Sequence, residues 1–271
     1  MVWFFIKKNF CDGWDNLLWL MAFNLLILGI GIGEYYGLGA IVGIATLPEW
    51  AVVVLSILFF AAGVFLITTI LFSVSDICAK IADFKSSSYK DVFTGLKDCW
   101  KDAVLFTLVI TLLAVLAVIA IPFYLRTEGL GLFGVFLAAL VFWMLCLCVL
   151  ALQWFMPLRS QLHGGFRKTF KKCFIIFFDN AGFSVFMFFY TLILAALSVF
   201  LAFLIPGFTG IALAQNNAFR LRLYKYDWME QHSDLTPKEA RKHIPWGELI
   251  AEDRETLGPR TFKSFIFPWK D

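Results

Sequence analysis

The stretch Tyr89-Lys90-Asp91-Val92-Phe93-Thr94-Gly95-Leu96-Lys97-Asp98-Cys99-Trp100-Lys101-Asp102 runs without a linker into an unbroken apolar segment, 103–121. Val92, Leu96, Cys99 and Ala103 recur at helical spacing, and Lys90, Lys97 and Lys101 lie off that face. This is the pattern of a helix lying at a membrane surface that turns into a helix crossing the membrane. The same pattern occurs before the first apolar block and again at 158–182, so it organises the whole chain.

Composition agrees. Apolar residues make up 61 % of the chain, above the roughly 45–50 % of soluble domains. They fall in blocks of roughly 20 residues, the length a helix needs to cross a bilayer. The chain therefore reads as all-α, a polytopic membrane helix bundle with no β-barrel alternation. The spacing predicts spans at 17–33, 50–74, 103–124, 130–156, 183–204 and 204–219. Residues 1–225 form the membrane domain and 226–271 a polar tail. The first block has no cleavage signal behind it and reads as a retained span.

Charge sets the topology. The apolar run after Pro206-Gly207 is either an over-long fifth span or a returning sixth. With six spans and an internal start, every Lys and Arg except Arg126 falls on the inner side. With five, the bias is lost. Six spans as three hairpins, both chain ends cytoplasmic in a bacterial inner membrane, is the expected layout. The units 1–74, 75–157 and 158–225 share a basic-aromatic lead but little identity.

Inner-leaflet amphipathic helices are expected at three places. Residues 1–16 carry Trp3, Phe5, Phe10 and Trp14 around Lys7 and Lys8. In 158–182, Phe166, Phe170, Phe174 and Phe177 form a stripe opposite Arg167, Lys168, Lys171 and Lys172. An apolar face backed by cations suits a lipid bilayer with anionic headgroups, at about 1 kcal/mol per basic side chain, and argues against nucleic acid. Lys97, Lys101, Arg167, Lys168, Lys171 and Lys172 are the candidate headgroup contacts. The glycine-rich stretch 29–43 breaks the first span and is expected as an external connection, with a short re-entrant or interfacial piece as an option. In the tail, Thr236-Pro237-Lys238-Glu239 starts one helix and 246–257 forms a second. The aromatic-basic end, 262–270, returns to the membrane or packs on the inner face. The tail is the expected contact for a membrane-protein partner.

The order of these features resembles the YesL-like family of bacterial membrane proteins, which has no established activity. Asn16-Leu17-Leu18-Trp19-Leu20, the Tyr89–Lys101 stretch, and Pro157-Leu158 with Asp179-Asn180 and Pro206-Gly207-Phe208 carry the likeness. The long connection before Trp50 and the longer tail depart from it. The resemblance implies a loose role near carbohydrate uptake, and no catalytic residue.

No nucleophile, phosphate-loop or zinc-protease motif occurs, and the chain is not read as an enzyme. No cofactor or metal site is expected. His163, His232 and His243 are far apart. The six cysteines show no disulfide framework. Glu34, Asp76 and Asp179 sit at predicted span ends and read as solvated. Asn24, Gln153, Gln215 and Asn216 are the strongly polar side chains near the spans. Interhelical hydrogen bonding explains them most simply; a polar cavity in the inner half of the bundle is the sharper alternative. The favoured function is an accessory or assembly partner, with a small-molecule transporter or channel as the competing class.

Overall fold

A computed structural model describes residues 1–44, 46–232 and 243–260. Described residues fold entirely into helices and turns. In order they are α1 (Val2–Asp15), α2 (Leu17–Val42), α3 (Glu49–Ala82), α4 (Tyr89–Val115), α5 (Ile121–Arg126), α6 (Gly131–Leu152), α7 (Phe155–Leu162), α8 (Phe166–Asp179), α9 (Ala181–Phe200), α10 (Gly207–Gln231), α11 (Trp246–Leu249) and α12 (Ala251–Leu257). Five helical segments are long and apolar enough to cross a membrane: Leu17–Val42, Glu49–Ala82, Lys90–Arg126, Gly131–Leu162 and Ala181–Phe200. The chain is a multi-pass membrane protein.

The first helix pair corrects the expected break at 29–43. α2 runs unbroken for 26 residues through Gly29, Gly31, Gly33 and Gly39. Glycine disfavours helix by about 1 kcal/mol relative to alanine. In lipid, however, a broken helix leaves backbone groups without partners, which costs more. α3 is also longer than expected, 34 residues, and carries Asp76 and Lys80 beyond the apolar stretch. Glu34 and Asp76 are therefore inside helices rather than at their ends.

Ser88 opens α4, with its N–H donating to Asp91 at 2.8 Å, so the amphipathic lead and the apolar segment are one helix. A π turn, Leu116–Ala120, joins α4 to α5. It precedes Pro122, which cannot donate to Val118 and crowds that carbonyl, so the helix widens locally.

Buried side chains concentrate at the charged end of the bundle. Phe72, Phe106 and Phe155 meet there, Phe106 stacking on Phe155 at 4.8 Å. Trp154, Phe5 and Phe219 are fully buried alongside. Beyond this core, the α2–α3 and α4–α6 arms present exposed apolar side chains such as Leu58, Leu112 and Leu132. α10 is the hub, packing on α1, α2, α3, α7 and α9. Its buried positions include Thr209, Asn216, Asn217, Arg222 and Lys225, too polar for a lipid-facing span. Its first turn meets Leu20 and Asn24, near the start of α2. The turn between α9 and α10 thus lies beside α2's first turns, whereas α2 itself continues to Val42.

α1 was expected to lie flat on lipid. Trp3 is 82 % exposed, consistent with that, yet Lys8 points inward and is fully buried. Its ammonium is 3.2 Å from Asp12 and 3.4 Å from the Phe84 ring centroid. The described part of the tail docks on the same core through Ile250 and Leu257. The expected helix start at Thr236 and the 262–270 end lie outside the described residues.

Candidate functional site

Four helices meet around a polar cleft of about 360 Å³ at the charged end. α3 supplies Asp76 and Lys80, with Asp83 at its C-cap, α4 supplies Asp91, Thr94 and Asp98, α7 supplies Ser160 and Gln161, and α10 supplies Arg220. Gly95 lets α3 and α4 close on each other: a Cβ there would lie 2.8 Å from Ser73 Oγ. The Ser73 hydroxyl in turn donates to the Val92 carbonyl at 2.8 Å.

Arg159 reaches the cleft through Asp76, one of its lining residues. Its Nη1 donates to both Asp76 oxygens, at 3.0 and 2.9 Å, and its Nε donates to Asp102 at 3.1 Å. One guanidinium therefore ties α3, α4 and α7 together in the fork geometry that arginine alone offers. Next to it, Ser160 donates to Ser75 Oγ at 2.9 Å and Asn216 Nδ2 donates to the same oxygen at 3.0 Å. Gln161 donates to the Asn216 carbonyl at 2.9 Å. Lys80 pairs with Asp91 at 2.9 Å, while Lys85 and Arg220 both pair with Asp83. Asp76, Asp83, Asp91 and Asp102 are thus all engaged by cations of this chain.

A second polar cluster lies where α8, α9 and α10 meet. Lys225 is 2.6 Å from Asp179 and 2.9 Å from Asn180 Oδ1. The Tyr226 hydroxyl donates to Asp179 at 2.8 Å. Arg222 donates to Asn180 at 3.3 Å and stacks 3.8 Å from the Phe183 ring centroid. Burial pushes its guanidinium down to about 10. The Tyr224 phenol, donating to Asp253 at 3.0 Å, is pushed up to about 12 by burial. In α1, burial lowers Lys8 and raises Asp12, each opposed by attraction to the other.

The four amides singled out in the sequence do not converge. Asn24 is spent on the α9–α10 turn, donating to the Leu204 and Pro206 carbonyls at 3.0 and 2.9 Å. Gln153 donates to the Leu150 and Ser184 carbonyls at 2.8 and 3.0 Å. Asn216 joins the cleft's edge, and Gln215 is half-buried on α10. Among the described residues none of the four hydrogen-bonds to another. The six proposed headgroup contacts fare differently. Lys97, Lys101, Arg167, Lys168 and Lys171 are exposed and Lys172 half-buried, while Phe177 on the opposite face of α8 is buried. Among the described residues none of the six makes an ion pair.

Arg159, which joins two aspartates across three helices, is the residue that periodicity alone does not single out. The available signal is one arginine and two aspartates, Asp76 and Asp102, each at an end of a different apolar block. Asp76 and His163 share the cleft, but Asp179 is in the other cluster. All six cysteines are free. Among the described residues no group of three or more His, Cys, Asp and Glu side chains is placed to hold a metal ion. Compared with protein-family models, curated proteins and solved structures, the chain shows no match.

Proposed function

We propose that this chain is a non-enzymatic accessory or assembly protein of a bacterial inner membrane, with both ends cytoplasmic. Three out-and-back helix pairs return the chain to the side it started from. The third is drawn into the core instead of reaching as far as the other two. The observation that carries the reading is the mutual neutralisation in the cleft. Of its aspartates, Asp76, Asp91 and Asp83 tie neighbouring helices together through Arg159, Lys80 and Arg220, which favours a rigid inner platform over a reacting site. The exposed cations of α8 hold that platform against anionic headgroups, and the tail, anchored by Ile250 and Leu257, presents it to a partner. The separation of the four amides disfavours a transport route through them. A place near carbohydrate uptake rests on the YesL-like resemblance alone.

The test is purification from native membranes in mild detergent, with the tail intact and with 227–271 removed. One protein retained in stoichiometric amount by the full chain and lost with the tail is the expected result. A full-length chain that retains no protein, or turnover by the purified chain alone, overturns the reading.

A further inference from the structure

Across the stretches 16–48, 50–75, 103–125, 129–158 and 180–219, Glu34 is the single Asp, Glu, Lys, Arg or His. The unbroken course of α2 carries it away from any helix end and sets it against α3. A Cβ built on Gly63 would lie 1.8 Å from Glu34 Oε1, so the carboxyl occupies the notch that this glycine leaves open. Gly63 lies midway between Glu49 and Asp76, about 20 Å from each along the helix. That is the centre of the longest uncharged part of α3. Glu34 Oε2 is buried and has no hydrogen-bond donor. α3 brings no charged group to it. The titratable neighbours on α2, Tyr35 and Tyr36, are 75 % and 70 % exposed and point away into the surroundings.

A carboxylate in lipid without a counter-charge costs several kcal/mol, and such groups are met paired or neutralised. Among the described residues this chain has no cation to offer at that depth. A second copy has none either, because its apolar blocks are equally free of Lys, Arg and His. We propose that Glu34 is a cation-accepting site inside the bilayer, filled from outside the chain. The positive charge is either a proton or a basic side chain on the spanning helix of another protein. The inference goes beyond the platform reading and does not depend on the tail.

The experiment uses the full chain in liposomes. In one arm a lipid-soluble carbodiimide is added and Glu34 is followed by peptide mass spectrometry. The reagent needs the acid's proton: the carboxyl oxygen bonds to the central carbon, one C=N bond becomes single, and the proton moves to nitrogen. Addition at Glu34 identifies the proton as the occupant. In the other arm an apolar peptide of about 20 residues, with one central Lys, is tested for association by energy transfer against the same peptide with Leu. Association about tenfold tighter for the Lys peptide, lost in Glu34→Gln, identifies a basic side chain. Glu34→Gln keeps the side-chain volume, and an unchanged elution profile shows that it folds. Modification of Glu34 by a water-soluble carbodiimide as fast as by the lipid-soluble one overturns the proposal, because the carboxyl is then in water. Failure of both the lipid-soluble reagent and the Lys peptide overturns it as well.

Discussion

The Thr209 N–H donates to Asn24 Oδ1 at 3.1 Å, so a side chain from α2 closes the first turn of α10. The cap is supplied by a residue 185 positions away in sequence. Gly207 makes the approach feasible: its φ is +60°, and a Cβ would lie 2.2 Å from Asn24 Nδ2. The Gly207 N–H itself donates to Ser198 Oγ at 2.9 Å.

Asn24→Ala should therefore destabilise the fold by about 1–3 kcal/mol, since it strands the Leu204 carbonyl and the Thr209 N–H, while the Pro206 carbonyl keeps the Gly210 N–H. Gly207→Ala should be at least as harmful, because both the left-handed backbone and the asparagine stand in the way. Thermal unfolding in detergent checks both. Asn24→Ala as stable as the wild type would mean that water replaces the cap.

Removing Arg159 should cost about 3 kcal/mol. That is the low end for a buried ion pair, because Asp76 and Asp102 keep about a fifth of their surface. Arg159→Lys should recover only part of the loss, since one ammonium cannot reproduce the separate Nη1 and Nε donations to Asp76 and Asp102. A double-mutant cycle between Arg159→Ala and Asp76→Ala should show coupling above about 1 kcal/mol.

Gly95→Val should push α4 away from α3 at Ser73 and lower stability by about 1–3 kcal/mol through overpacking. Gly164, by contrast, faces only the Thr169 hydroxyl at 3.2 Å. Gly164→Ala should change the unfolding midpoint far less.

Charge reversal at Arg167, Lys168 and Lys171 should weaken the hold of α8 on anionic membranes, by about 1 kcal/mol per side chain. A spin label at position 175 should then move outward in nanodiscs containing anionic lipid. In zwitterionic nanodiscs the reversal should make little difference.

Burial pushes the Cys173 thiol up to about 12, from an ordinary value of 9.0. The folded protein therefore keeps this proton over a range in which the unfolded chain has lost it. Stability should fall as pH rises from 9 toward 12, and Cys173→Ala should remove part of that fall. At pH 9 an alkylating reagent should leave Cys173 untouched until the protein unfolds, because the thiolate is the reactive form.

Two properties were fixed by the sequence alone. Apolar blocks of bilayer length require helices, because only a helix satisfies its own backbone in lipid. The Phe stripe of 166–177, with Arg167, Lys168 and Lys171 opposite, makes α8 amphipathic, although its buried side is centred on Thr169, Cys173 and Ile176, with Phe177 at the edge. Both follow from local periodicity. What only the tertiary structure decided is where each polar group goes. The glycines of 29–43 looked like a break, but the need to pair the backbone carries α2 through them, and that moves Glu34 against Gly63. Asn24, Gln153 and Asn216 looked alike in sequence and serve three separate junctions. Arg159 gained its role from Asp76 and Asp102, which lie on other helices. Periodicity shows which face of a helix is apolar; it carries no information on which helix that face meets, because side-chain pairing across a bundle depends on distances that exist only once the helices have packed.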